Sequence, residues 1–298
     1  MKFERFIFLS VLVLAVFQVF INAQTVVPNQ VRFTTPDAPW TLVIDGQAVD
    51  IKTAQVKPDN KSAYFLVYPN KDGLNISLFI EPVDKCKTSD ECRDFVLNSG
   101  NPAWGKFQDL AKARIGEFSY FEFYRPEAMG QPLQMQDMYA QYVGSGYWVD
   151  LHISKVDYKK TDHLLFENLV KSVKFVPKTN AASDKNLSAI QAAVEKWLAV
   201  WDAGKCKESF AALSPISRTK ISEKLWVDYC GSAHIGLGKL KSRKVIASTT
   251  VTSLPPTPDR AGATVRYQSV FENSPVVEFV SLVLEKDGSW TVANYLTQ

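Results

Sequence analysis

The chain has 298 residues, 46% hydrophobic, 12% aromatic and 22% charged. This balance is that of a globular protein and excludes a disordered chain, a collagen-like chain and a multi-span membrane protein. With 34 basic against 31 acidic residues, a formal charge of +3, it gives no nucleic-acid footprint. At roughly 150 residues per domain the length suggests about two domains.

Residues 1–23 read as an address. Lys2 and Arg5 make a basic start, Phe6 to Val19 is an apolar run, and Ile21-Asn22-Ala23 offers a small-residue cut before Gln24. That is the three-part pattern of a secretory signal peptide. The run is shorter than the ~20 residues that span a bilayer, and no lipobox cysteine follows the cut. A secreted or periplasmic protein is expected, with no integral span after cleavage. In an oxidising compartment cysteines are read first as disulfides. Four cysteines allow three pairings; the spacing favours two local ones, Cys86–Cys92 and Cys206–Cys230. The second closes a loop of about 25 residues, worth about 3 kcal/mol in the chain-entropy description. No spacing of Cys or His suits a metal, and no cofactor is expected.

The first half reads as strands with interspersed helices. Trp40–Ile44 and Ala48–Ile51 flank Asp45-Gly46, which predicts a hairpin. Ala63–Tyr68 and Leu74–Ile80 flank Asp72-Gly73. Ser89–Leu97 reads as a short helix with Ser89 as its cap, and Trp104–Ala113 as a second helix. Ile115–Tyr124 is aromatic and strand-like. Asp137–Val143 and Tyr147–Ser154 flank Gly144-Ser145-Gly146. After Asp162, Leu165, Phe166, Leu169 and Val173 share one helical face. The expected layering is α+β. Trp40–Ile51, Leu74–Pro82 and Tyr147–Pro177, ending Asn168-Leu-Val-Lys-Ser-Val-Lys-Phe-Val-Pro177, give this half a resemblance to the PsbP-like fold. The resemblance implies an antiparallel sheet flanked by helices and an accessory or binding role.

The polar stretch 178–186 reads as a linker, giving a first domain at 24–177 and a second at 187–298. In the second, Leu187, Ile190, Val194, Trp197, Leu198 and Trp201 form one apolar stripe, which Gly204 ends. Helices at Glu208–Leu213 and Ser217–Tyr229 follow. Strands are expected at Leu240–Thr252, Ala263–Phe271, Val276–Glu285 and Ser289–Leu296, the last two joined at Asp287-Gly288. Helices first and a curved antiparallel sheet last is the order of a cystatin-like cone. Trp197-Leu-Ala-Val-Trp-Asp-Ala-Gly204, Trp226, Leu237-Gly-Lys-Leu-Lys-Ser-Arg243, Pro255-Pro-Thr-Pro258, Val265–Phe271 and Gly288-Ser-Trp290 stand in an order that resembles the bacterial family called domain of unknown function 4019. The resemblance implies an exported protein with no assigned activity. His234 stands where that pattern usually has Arg, and Asn294 where it has Gly.

No nucleophile elbow, phosphate loop, zinc motif or dinucleotide fingerprint is present, so no catalytic residue is assigned. A Ser–His–acid triad leaves no local signature, because its members are far apart in sequence. If the cone encloses a pocket, Trp197, Trp226, His234 and Arg243 are its candidate ligand-binding residues, with Arg266 and Glu278 as further inward-facing groups. Lys239, Lys241, Arg243 and Lys244 form the densest basic cluster, suited to an anionic surface. Met129, Met135 and Met138 are soft donors that suit Cu(I). The sequence therefore supports a non-enzymatic exported binding or accessory module with an unknown protein or small-molecule partner in the cell envelope. The alternatives are a hydrolase- or isomerase-type enzyme with its site in the cone pocket, and a Cu(I)-binding protein.

Overall fold

The computed structural model describes residues 29–35, 37–46, 51–57, 61–67, 72–100, 104–128, 131–178, 185–253 and 260–298. The expected signal segment and its cleavage point lie outside them. No helix among the described residues is long and apolar enough to cross a membrane. The fold is mixed α+β, built on two open antiparallel sheets.

Sheet I takes strands from both ends of the chain. Its order is β10 (Val173–Pro177), β2 (Trp40–Asp45), β1 (Gln30–Phe33), β11 (Leu240–Val251), β12 (Gly262–Phe271), β13 (Pro275–Leu284) and β14 (Trp290–Thr297). Sheet II runs β3 (Ile51–Val56), β4 (Ala63–Val67), β5 (Asn75–Pro82), β9 (Tyr147–Lys155), β8 (Gln131–Gly144), β7 (Phe118–Ala128) and β6 (Gln108–Ile115). The seam in sheet I is the β1–β11 ladder, which runs from Gln30↔Thr250 to Phe33↔Ala247. The segments before and after the polar stretch thus share one hydrogen-bonded sheet. Residues 179–184 of that stretch lie outside the described residues.

The two sheets pack face to face. Alternation puts Val31, Phe33, Leu42 and Ile44 of sheet I on one face, opposite Phe65, Ile76, Leu78, Leu151 and Ile153 of sheet II, all buried. The Phe33 and Phe65 rings meet 4.7 Å apart. Helix α2 (His163–Lys171) adds Phe166, Leu169 and Val170 to this core. The other face of sheet I, at β12–β14, carries α3 (Lys185–Asp202), α4 (Cys206–Ala211), α5 (Pro215–Arg218) and α6 (Glu223–Leu237) over a second core. The outer face of sheet II is partly covered by α1 (Ser89–Ser99).

Both cysteine pairs are disulfides, Cys86–Cys92 and Cys206–Cys230. The first sits against Trp148, beneath α1. Trp148 donates to Gln141 (2.6 Å), whose amide donates to Asp150 (2.6 Å). Desolvation pushes the Asp150 carboxyl above the usual carboxylate range, with the Gln141 hydrogen bond opposing it. The folded chain holds that proton more tightly than the unfolded chain, so Asp150 erodes stability as pH rises. Asp150→Asn is expected to raise Tm at pH 7–8. The gain should vanish below about pH 4, where aspartate is protonated in both states. Thermal melts across this range check it, and a pH-independent difference would refute the assignment.

Four local expectations are corrected. The Asp45-Gly46 hairpin does not form: β2 pairs with β1 and β10, while β3 crosses to sheet II. The Gly46 N–H donates to Asn29 O at 2.8 Å, tying the turn to the start of β1 instead. Trp104–Ala113 is not a helix but mostly strand β6, with Asp109 at φ 56° in a bulge. Residues 108–114 are exposed, so no helical apolar face exists to be buried, and the ladder to β7 holds the segment. The helix expected over Ser217–Tyr229 is two helices, because Ser222 caps a new start by accepting from Leu225 N. The cap of α1 is Thr88, one residue earlier than expected.

Candidate functional site

Among the described residues, β10 is an edge strand of sheet I and β6 an edge strand of sheet II. Between these edges, beside α2, lies a groove of about 560 Å³, within the range of ligand sites. Its floor is aromatic. Tyr142 of β8 stacks on Phe175 of β10 at 4.0 Å and 18°, and Phe118 of β7 lies 5.6 Å from Tyr142. Trp40 supports Phe175 edge-on at 4.9 Å. A Cβ on Gly144 would stand 2.2 Å from the Tyr142 hydroxyl, so glycine there lets the ring occupy its place. Burial pushes the Tyr142 hydroxyl pKa up, with Glu117 contributing, so it stays a neutral donor.

The rim is polar but nearly neutral. Lys174 pairs with Asp45, Lys171 with Glu167 at 2.6 Å, and Glu117 stands on the β6–β7 turn. The edge strand supplies a second kind of group. Asp45 N donates to Ser172 O, and Lys178 N to Pro39 O. In an antiparallel ladder, inward and outward residues alternate, so Val173 and Phe175 turn their N–H and C=O groups away from β2, toward the free edge. The same two residues line the groove. These residues come from three distant segments and were missed at the level of sequence. The one local signal was the alternation Val173-Lys174-Phe175.

The residues picked out in the sequence lie elsewhere. Trp197, Trp201 and Trp226 are buried in the second core. They contact one another at 5.5–6.0 Å, and Trp201 lies 4.4 Å from Tyr295. Two of the ring nitrogens are used internally: Trp197 donates to Ser209 O (3.1 Å) and Trp226 to Ser209 Oγ (2.9 Å). His234, on α6, lies against Trp201 at 5.3 Å.

Arg243 forms the centre of an ion network. It grips the fully buried Glu278 through Nε (2.5 Å) and Nη2 (2.7 Å), and Asp202 through Nη1 (2.7 Å) and Nη2 (2.9 Å). Tyr295 Oη (2.6 Å) and Ser269 Oγ also donate to Glu278. Burial alone would lower the Arg243 pKa, but the bonds to Asp202 and Glu278 override it and hold the guanidinium charged. Trp197 and Trp226 are thus packed together and bonded to Ser209, while Arg243 is bonded to Asp202 and Glu278. Alternation would put Lys239, Lys241 and Arg243 on one face, but Lys239 and Lys241 are exposed while Arg243 is turned inward, so these three do not form one face.

The methionines do not converge either. Met138 is buried on the core face of β8, whereas Met135 meets Arg125 Nη2 at 3.6 Å on the opposite face. Met129 lies outside the described residues. No group of three or more His, Cys, Asp or Glu among the described residues is placed to hold a metal.

Residues 193–295 match the family model described as "Protein of unknown function (DUF4019)". No curated protein matches the chain. Among solved structures, the solution structure of cyanobacterial PsbP (CyanoP) from Synechocystis sp. PCC 6803 is similar at 12% identity and a TM-score of 0.34, covering 50% of this chain and 94% of that one. A crystal structure from Bacteroides thetaiotaomicron VPI-5482 is similar at 11% identity and a TM-score of 0.32, covering 80% of this chain and 87% of that one.

Proposed function

We propose that the protein is an exported binding module that takes an extended, uncharged segment of a partner protein along β10. The observation that carries this reading is the coincidence of a free strand edge with an aromatic groove in the same two residues, Val173 and Phe175. An added strand gains main-chain hydrogen bonds from the edge, and its alternate side chains enter the groove. The paired rim charges disfavour a strongly charged occupant. Two disulfides and the leader-like first 23 residues support export to the cell envelope. The segments 24–177 and 187–298, sharing sheet I, act in this reading as one unit.

The test is selection from a random-peptide library on the purified protein. Expected are peptides with alternating apolar residues whose binding falls at least about tenfold in Phe175→Pro, which removes an edge donor and an aromatic floor at once. Gly144→Val, which displaces Tyr142, should weaken the same peptides. Failure to enrich any peptide, or binding indifferent to both substitutions, would overturn the reading.

A further inference from the structure

The outer face of sheet II carries a polar constellation remote from the groove. Ser77 of β5 and His152 of β9 are a cross-strand pair. His152 Nδ1 lies 3.3 Å from Ser77 Oγ, and its Nε2 lies 2.8 Å from Asp137 Oδ1. Asp137 is fully buried and held by Arg125 through Nε (2.7 Å) and Nη2 (3.1 Å). The imidazole is stacked on Tyr139 at 4.1 Å and 9°. Its orientation is therefore fixed by a ring on one side and a carboxylate on the other. An ionised carboxylate only accepts, so the proton belongs on Nε2. Nδ1 is then the acceptor for the Ser77 hydroxyl.

Alternation along β5 places four side chains on this same face: Asn75, Ser77, Phe79 and Glu81, the last paired with Lys57. Asn75 stands roughly 6.6 Å along the strand from Ser77 and brings a carboxamide donor. On the other side Phe79, 41% exposed, packs on Tyr64 at 4.5 Å. A partly exposed aromatic pair beside a hydrogen-bonded hydroxyl is a platform for an apolar group. Ser77 and His152 are themselves only half-buried, so a small molecule can reach them.

We propose that Ser77 is a nucleophile with His152 as its general base. Asp137 and Arg125 are positioning residues, and the substrate class is a small ester whose apolar acyl group lies on Phe79 and Tyr64. Ser77 Oγ bonds to the carbonyl carbon as its proton passes to His152 Nδ1. The bond to the alcohol oxygen breaks as that oxygen takes the proton from His152. Water then adds to the acyl carbon, giving its proton through His152 to the departing Ser77 Oγ and releasing the acid. The groups come from separate strands and meet by register alone. The site is independent of the groove and stands or falls separately.

The test uses a fluorophosphonate probe and p-nitrophenyl butyrate on the purified chain. Expected is one probe per molecule, mapped to Ser77 by peptide mass spectrometry and absent in Ser77→Ala. In His152→Gln, labelling should slow by roughly two orders of magnitude. Phe79→Ala, at an exposed position, should raise KM for the butyrate ester with kcat little changed. A folded protein whose Ser77 takes no label, or takes it as fast without His152, overturns the proposal.

Discussion

Glu278→Ala is expected to cost about 3–5 kcal/mol of folding stability, the range for removing one member of a buried ion pair. The carboxylate is fully buried and is the common acceptor for Arg243, Tyr295 and Ser269. Its removal leaves the Arg243 guanidinium with Asp202 alone and two hydroxyls with no acceptor. The cost is the desolvation of those orphaned groups more than the attraction lost. The network's net worth is a different quantity. Replacing the pair with apolar residues, Arg243→Met with Glu278→Leu, should recover most of the loss, because paired buried charges are often no better than good packing. Urea denaturation followed by circular dichroism measures both. A single-substitution cost below about 1 kcal/mol would mean that water reaches Glu278.

Phe33→Ala is expected to cost about 3–5 kcal/mol, as for other buried aromatic truncations. Phe33 is fully buried and touches Phe65 across the sandwich while its backbone belongs to the ladder that joins β1 to β11. The informative readout is where the loss is felt. Native-state hydrogen exchange should show β12–β14 losing protection together with sheet II, although no residue of those strands is near position 33 in sequence. Destabilisation confined to residues before 178, with β12–β14 unchanged, would show that the second half holds itself together without β1.

Much of the architecture was legible because local patterns and tertiary demands agree. The stripe from Ile190 to Trp201 is a helix buried on that stripe, and the strands from 240 onward stand within a residue or two of expectation. The failures share one cause. Asp45-Gly46 is a good turn for a hairpin, but the choice of sheet for the strand after it is made by distant partners. Trp104–Ala113 has no apolar face of either period, so only its ladder to β7 decides its state. The four-residue β1 is too short to give a periodic signal. The groove and the Ser77–His152–Asp137 constellation were invisible for the same reason, since each is assembled from side chains on separate strands. The Trp and Arg residues that stood out in the sequence did so because they build the second core.

The seam between β1 and β11 also orders events in time. Gln30 finds its partner Thr250 only after some 220 further residues have been made. Long loops are slow to close even where they are cheap to hold closed. Synthesis from the N-terminus must therefore be nearly complete before sheet I can zip, while the β4–β5 and β8–β9 hairpins can form as they appear. Until then the edge of β11 at Ala247–Thr250 stays open to pairing with another chain. The exposed interval should be longest for molecules stalled late in synthesis, where holding chaperones would have the most to protect.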